Sequence, residues 1–172
     1  MGMDVYGKNP TSEVGTYFRN NVWWWRPLWD YCLEQHHEVA GKVEYGHSND
    51  GDGLDADDAA LLGRLLMDDV ESGRAAQYEE RYNYTIAAMP LKPCEYCDGT
   101  GIRSDEVGVN FGMPDEELPE ADAILLGRTY GTCNGCSGHG KVTQFAANYP
   151  FSVDNVKEFA TFLIDSGGFS IC

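Results

Sequence analysis

One eight-residue pattern occurs twice in this 172-residue chain and constrains its fold more than any other feature. Residues 94–101 and 133–140 both read C-x-x-C-x-G-x-G. Two cysteines three positions apart in a tight turn can direct both sulfurs at one metal ion, and four thiolates complete the tetrahedral set of a structural zinc site. The pattern therefore predicts one zinc ion bound by Cys94, Cys97, Cys133 and Cys136. Two disulfides or a redox-active C-x-x-C pair are the alternatives.

The glycines after each cysteine pair predict how the chain leaves the two turns. Glycine adopts positive φ without strain, so each turn can present backbone N–H groups to its sulfurs and offset their charge. A short strand is expected after each turn, at residues 102–104 and 141–143. We expect these two strands to pair with each other, which makes a zinc-clamped β-hairpin.

The repeated pattern resembles the cysteine-rich zinc domain of DnaJ-type co-chaperones. That family carries four such repeats and two zinc ions, whereas this chain has two repeats, within residues 94–143. The chain has no His-Pro-Asp sequence, so the resemblance does not extend to a J-domain. The resemblance implies zinc ligation at Cys94, Cys97, Cys133 and Cys136. Zinc domains of this kind also serve as protein-binding modules.

The chain is strongly acidic, with 28 Asp and Glu against 12 Lys and Arg and a formal net charge of −16. Four thiolates and one Zn²⁺ would add −4 + 2 = −2, which makes −18. Nucleic-acid binding requires a basic face, and anionic membranes repel an acidic protein, so we expect neither direct nucleic-acid binding nor membrane binding. The charge fits a basic protein partner, and it also fits a purely solubilising role.

Cysteine usage and hydropathy predict the compartment. The sequence has no apolar run long enough to span a membrane and no secretory signal, and four of its six cysteines have zinc spacing. These features predict a cytoplasmic protein with reduced thiols. Cys32 and Cys172 are expected to be small buried hydrophobic residues.

Hydrophobic periodicity predicts an α+β fold, with a small mixed sheet packed by about four helices and the zinc-clamped hairpin as a subdomain. We divide the chain into an N-terminal α+β part at 1–92, the zinc subdomain with its insert at 93–143, and a C-terminal helix and strand at 144–172 that complete the core. Strands are expected at 3–7, 43–45 and 169–172, in one sheet.

Helices are expected at 27–40, 56–72, 75–89 and 153–163, with a short one near 119–126 in the insert. Pro27 is expected to open the first helix, because proline is favoured at the first helical position. Asp55 and Ser152 are the expected N-caps of two others. The break at Ser72-Gly73 leaves open whether the second and third helices are one kinked helix or an antiparallel pair.

Two further stretches are candidate functional sites. Three consecutive tryptophans cannot all face one core, and tryptophan is common in binding hot spots. The polar loop after residue 46 does not fit a calcium loop, because Asp55 and Ala59 stand where an apolar residue and a glutamate are required. The candidate ligand or interface residues are Trp23, Trp24, Trp25, His47, Ser48, Asn49 and Asp50.

The opening of the chain, in the runs 1–6, 17–21 and 25–28, resembles small uncharacterised proteins of phage and prophage genomes. No phosphate-binding loop, nucleophile elbow or zinc-protease motif is present. The sequence therefore favours a non-enzymatic, zinc-stabilised protein-binding module. In a phage setting this would be an inhibitor or modulator of a host protein, with a nucleic-acid-mimicking acidic surface as one form. The alternative is an enzyme or small-ligand-binding protein with its site where the 47–50 loop meets the 23–25 run.

Overall fold

A computed structural model describes residues 2–103, 113–117, 120–121, 124 and 130–172, with only the backbone at 113–117 and 130–131. The chain forms two compact units. The larger unit comprises Met1–Ala87 and Asn148–Cys172, and the cysteine unit comprises Ala88–Ala147. The helix expected near 119–126 and the last residue of the strand expected at 102–104 lie largely or wholly outside the described residues.

The described residues form five α-helices, seven short strands and one 3-10 turn, which confirms the α+β class. In chain order they are β1 (Gly2–Gly7), β2 (Tyr17–Asn21), α1 (Val22–Gln35), α2 (His37–Ala40), α3 (Ala56–Glu71), α4 (Arg74–Ala87), β3 (Lys92–Pro93), β4 (Met113–Glu117), β5 (Tyr130–Thr132), β6 (Lys141–Val142), the 3-10 turn (Phe145–Asn148), α5 (Val153–Asp165) and β7 (Phe169–Ile171).

The larger unit contains an antiparallel sheet in the order β2-β1-β7. Its inward residues alternate along the strands, and Val5 lies between Phe18 and Ile171 in the register. The strand expected at 43–45 is wrong, because the backbone turns there and the buried Val43 donates its N–H to the carbonyl of Ala40 at 3.1 Å. The β2 segment takes that place in the sheet.

Helix α1 starts five residues earlier than Pro27, so the expected first position of this helix is wrong. The Asn21 side chain accepts hydrogen bonds from the N–H groups of Trp23 and Trp24 at 3.0 and 3.1 Å and caps the helix at Val22. Proline inside a helix removes one backbone hydrogen bond. That loss is offset by burial, because Pro27 is itself buried on the core face of the helix.

Aromatic side chains fill the core between the sheet and the helices. Trp25 and Trp29 are fully buried and stack with ring centroids 5.6 Å apart, and Phe159 of α5 meets the edge of both. Rings of this size bury large apolar areas and gain further from offset or edge-to-face geometry. The core is therefore built where α1 and α5 cross the inner face of the sheet.

Helices α3, α4 and α5 follow the sequence patterns closely. Asp55 caps α3 through the N–H of Asp58 at 2.9 Å, and Ser152 caps α5 through the N–H of Asn155 at 3.1 Å, so both expected caps are confirmed. Helices α3 and α4 are separate, with Gly73 between them at a φ of 81°. A left-handed φ of this kind favours glycine and ends a helix.

The two cysteines outside the repeats differ in environment. Cys32 is fully buried in the core of the larger unit, as expected, and burial raises the pKa of its thiol. The expected burial of Cys172 is wrong, because this residue is exposed. Its N–H donates to the carbonyl of Asp4 at 2.7 Å, which extends the sheet pairing by one residue without covering the side chain.

Candidate metal centre

The two repeats fold into nearly identical turns. The N–H of Gly99 donates to the carbonyl of Cys94 at 3.1 Å, and the N–H of Gly138 donates to Cys133 at the same distance. The residue before each of these glycines has a φ near 50°, and each glycine has a φ near 80°. The shared C-x-x-C-x-G-x-G pattern therefore produces matching backbone paths, and each path directs two sulfurs to the same side.

The last glycine of each repeat is required by close backbone approach. A Cβ on Gly101 would lie 2.3 Å from the carbonyl oxygen of Gly138, and a Cβ on Gly140 would lie 2.2 Å from that of Gly99. Both glycines also have positive φ, at 80° and 71°. No other residue fits there without moving the facing turn.

The turns interlock through backbone hydrogen bonds between them. The N–H of Cys94 donates to Gly140 and the N–H of Cys133 donates to Gly101, both at 2.9 Å. Strand β3 pairs with β6, and Ile102 bridges to Thr132. The expectation that the two strands after the repeats pair with each other is therefore wrong. Because the turns face each other, the chain leaving one turn lies beside the chain entering the other.

The four cysteine sulfurs converge on one point. The Sγ atoms of Cys94 and Cys133 are 3.8 Å apart, as are those of Cys97 and Cys136, and all four lie within 4.8 Å of one another. A tetrahedral zinc site with Zn–S bonds of about 2.3 Å requires sulfur separations of about 3.8 Å. A disulfide needs about 2.05 Å, and all four cysteines are free. The donor set and its spacing fit a zinc ion.

Burial and hydrogen bonds set the acidity of these thiols. Although burial opposes ionisation, the Gly101 N–H, 3.3 Å from the Cys97 sulfur, and the neighbouring thiols lower the pKa of Cys97 to about 7. Burial raises the pKa of Cys133 to about 12 and also raises the pKa of Cys136, although the Gly140 N–H lies 3.2 Å from the Cys136 sulfur. Binding a cation must therefore displace protons from most of the cluster.

The sequence patterns do not predict the polar and aromatic cluster that lies at the tips of the two turns. Tyr96 lies against Gly135, where a Cβ would be 2.4 Å from the Tyr96 ring. The Arg103 guanidinium stands 4.8 Å from the centroid of the same ring and donates to Asn134 at 3.2 Å. One signal that could have found it is the asymmetry of the repeats, with tyrosine in the first at the position of glycine in the second.

The remaining side chains near the cysteines do not complete the donor set. His139 is exposed, and the group of residues that could hold a metal within the described part of the chain contains the four cysteines alone. The site is therefore closed, with all four tetrahedral positions supplied by sulfur.

The tryptophan run divides between core and surface, as the sequence predicts. Trp25 is fully buried and donates from its indole N–H to the carbonyl of Gly46 at 2.8 Å. Trp24 is partly buried, whereas Trp23 is 37% exposed and packs against Tyr149 with ring centroids 4.9 Å apart. The Gly46 bond brings the start of the polar loop beside the run.

The polar loop is held by hydrogen bonds within the larger unit. His47 pairs with Asp30 at 3.0 Å, Asn49 donates to the carbonyl of Gly2 at 3.1 Å, and Ser48 bonds to Asp50. These contacts fix the conformation of the loop. A ligand or partner role for it and for the tryptophans stays a prediction.

Comparisons with protein-family models, with curated proteins and with solved structures found no match to this chain. In the part of the chain that the structure describes, no helix combines the length and apolar character needed to cross a membrane. The four cysteines and their surroundings are therefore the features of this chain that point to a function.

Proposed function

We propose that this protein is a non-enzymatic protein-binding module whose cysteine unit is held by one structural zinc ion. The observation that carries the proposal is the closed set of four sulfurs with separations of 3.8 Å between the paired atoms. Catalytic zinc sites keep one position open for water or substrate, whereas four protein ligands fill a structural one. Cys94, Cys97, Cys133 and Cys136 would hold the ion, which would supply cross-linking and no reaction chemistry.

The surface we propose for a partner is the cluster of Tyr96, Arg103 and Asn134 at the tips of the two turns. Tyr96 is 62% exposed, although a guanidinium lies over its ring and a backbone lies beneath it. Tyrosine and arginine are enriched among residues that dominate binding energy, and rigidly held side chains lose little entropy on binding. This cluster gives a partner a fixed aromatic contact that is present before binding.

The charge of the chain supports a basic partner protein. With a formal charge of −16, the chain attracts positively charged surfaces and repels nucleic acid. The resemblance of the repeats to DnaJ-type zinc domains is consistent with a binding role. The resemblance of the opening residues to phage proteins makes an inhibitor or modulator of a host protein our concrete form of the proposal.

The first experiment measures zinc content and molar mass on protein purified under reducing conditions. We expect one zinc per chain. A tagged protein is then used to recover partners from lysate of the source or host cells, in parallel with Tyr96→Ala and with Tyr84→Ala, which changes a 77% exposed tyrosine on α4. We expect the same partner with the parent and Tyr84→Ala and its loss with Tyr96→Ala. Absence of zinc, or equal recovery with both variants, would contradict the proposal.

A further inference from the structure

We propose that the cysteine unit folds only when zinc is bound, whereas the larger unit folds without it, so that zinc occupancy switches the Tyr96 surface on and off. This inference rests on the proposed zinc site and adds its regulation.

The described part of the cysteine unit has no hydrophobic core apart from its metal-binding residues. Its buried cluster consists of the four cysteines, with Val142 half-buried beside them. Leu91, a large apolar residue of the same unit, is 58% exposed. Ordering a chain costs conformational entropy that apolar burial normally offsets. Among the described residues of this unit the cysteines are the group that can supply that free energy by binding a metal, which would make binding and folding one equilibrium.

The larger unit has a core of its own. All residues of its buried cluster lie within 3–75 and 151–171, and none belongs to the cysteine unit. Trp25, Phe159 and Phe169 pack with one another around its centre. The described residues of this core therefore include none of the four cysteines that would bind the metal.

The two segments that flank the cysteine unit are fastened within the larger unit. The Tyr82 hydroxyl of α4 donates to the carbonyl of Tyr149 at 2.7 Å, and Tyr149 packs on Trp23. The Tyr82 ring also packs against Phe151 with centroids 5.8 Å apart. These contacts hold the ends of the insertion in place when the residues between them unfold, and α5 and β7 keep their positions.

The proposed partner surface depends on both turns. Tyr96 and Arg103 come from the first repeat and the residues after it, and Asn134 and Gly135 come from the second. These residues meet because the turns face each other across the cysteine cluster. Loss of the metal separates the turns and removes the surface, so partner binding requires zinc and returns when zinc is restored.

The test is hydrogen–deuterium exchange on the full-length protein in reducing buffer, as purified with zinc, after stripping with a chelator, and after zinc is added back. In the stripped protein we expect peptides from 88–103 and 130–147, the described residues on both sides of the four cysteines, to exchange at the rate of an unfolded chain. Peptides from 2–87 and 148–172 should keep their protection, and zinc should restore the rest. Tryptophan fluorescence gives an independent measurement, because all four tryptophans lie within 23–29 and report the larger unit. Its urea midpoint should not change on stripping.

Two cysteine variants distinguish loss of the metal site from a general effect of losing a thiol. Cys133→Ser should reproduce the stripped pattern even with zinc present, and Cys172→Ser, which changes an exposed cysteine outside the cluster, should behave like the parent. Retained protection of 88–103 and 130–147 in stripped protein that had bound zinc overturns this inference and leaves the binding-module proposal standing. Loss of protection in both units together also overturns it. A protein that never binds zinc overturns both this inference and the binding-module proposal.

Discussion

The Asp69 carboxylate is the polar hub of the larger unit and offers the sharpest test of how its helices are held. This side chain of α3 is 1% exposed. It accepts hydrogen bonds from the Tyr31 hydroxyl and, with the donor proton on that nitrogen, from His36 Nε2, both at 2.7 Å. Its other oxygen forms an ion pair with the Arg74 guanidinium at 2.5 Å. Burial and the Asp69 contact raise the pKa of Tyr31, so the hydroxyl stays protonated and donates.

Replacing Asp69 by alanine should cost about 3 kcal/mol of unfolding free energy. Arg74 returns to water easily, because its side chain is 58% exposed. The Tyr31 side chain is buried and that of His36 is only 10% exposed, and a buried polar group left without a partner costs roughly 1–3 kcal/mol. Asp69→Asn keeps one acceptor and should lose roughly half as much. A domain of this size has a total stability of roughly 5–15 kcal/mol, so the alanine variant should still fold.

The assay is urea denaturation followed by tryptophan fluorescence, with the free energy extrapolated to zero urea. Asp68→Ala is the matched control, because it removes the same charge from the adjacent, exposed position on the same helix. We expect the control to stay within about 0.5 kcal/mol of the parent. An Asp69→Ala cost as small as that of Asp68→Ala would refute the view that this carboxylate holds α1, α3 and α4 together.

Three other predictions concern acidity and packing. The free energy of unfolding should fall as the pH rises above 10.0, because Tyr31 ionises in the unfolded chain while its raised pKa keeps it neutral in the folded protein. Urea titrations at alkaline pH should show a smaller decrease for Tyr31→Phe than for the parent. Zinc affinity should decrease at lower pH, because protons compete for the thiols, and calorimetry in buffers of different ionisation enthalpy should detect proton release. Gly135→Ala should weaken zinc binding by about 1–3 kcal/mol in competition assays, because the added Cβ clashes with the Tyr96 ring. Adding Tyr96→Ala to this variant should restore the zinc affinity, because it removes the ring.

Local signals in the sequence predicted much of the secondary structure. The Asp55 and Ser152 caps were readable because a cap depends on a few neighbouring residues. Strand β2 could not be predicted from the sequence, because one of its inward positions is the polar residue Asn20. The Asn20 amide donates to the side-chain oxygen of Asn155 at 2.7 Å, and Asn155 is distant in the sequence. A polar residue in the core looks like a surface residue until its partner is known. The same holds for Pro27, whose cost is offset by packing that only the fold reveals.

The metal centre shows the same division between local and long-range information. Spacing was enough to predict that four cysteines converge, since each turn is set by its own glycines. It was not enough to predict which strands pair, because β3 meets β6 only after the two turns have come to face each other. The Tyr96 cluster was missed for a related reason. Its members lie in two segments that are distant in the sequence, and no sequence pattern indicates that these segments meet. The need for glycine at position 135 is visible only once the Tyr96 ring is known to lie against it.

Under the proposed zinc site, the two units are stabilised by different kinds of interaction, so they respond differently to the surroundings of the protein. Apolar burial around Trp25 and Phe159 is insensitive to metal and nearly insensitive to pH near neutrality. The proposed clamp at the cysteines depends on the free zinc concentration, and each tenfold rise above the dissociation constant adds about 1.4 kcal/mol to the unit it holds. If the proposed site binds zinc, conditions that leave the larger unit intact can remove the metal from the smaller one. The proposal then makes one surface depend on the availability of a metal while the rest of the chain stays folded.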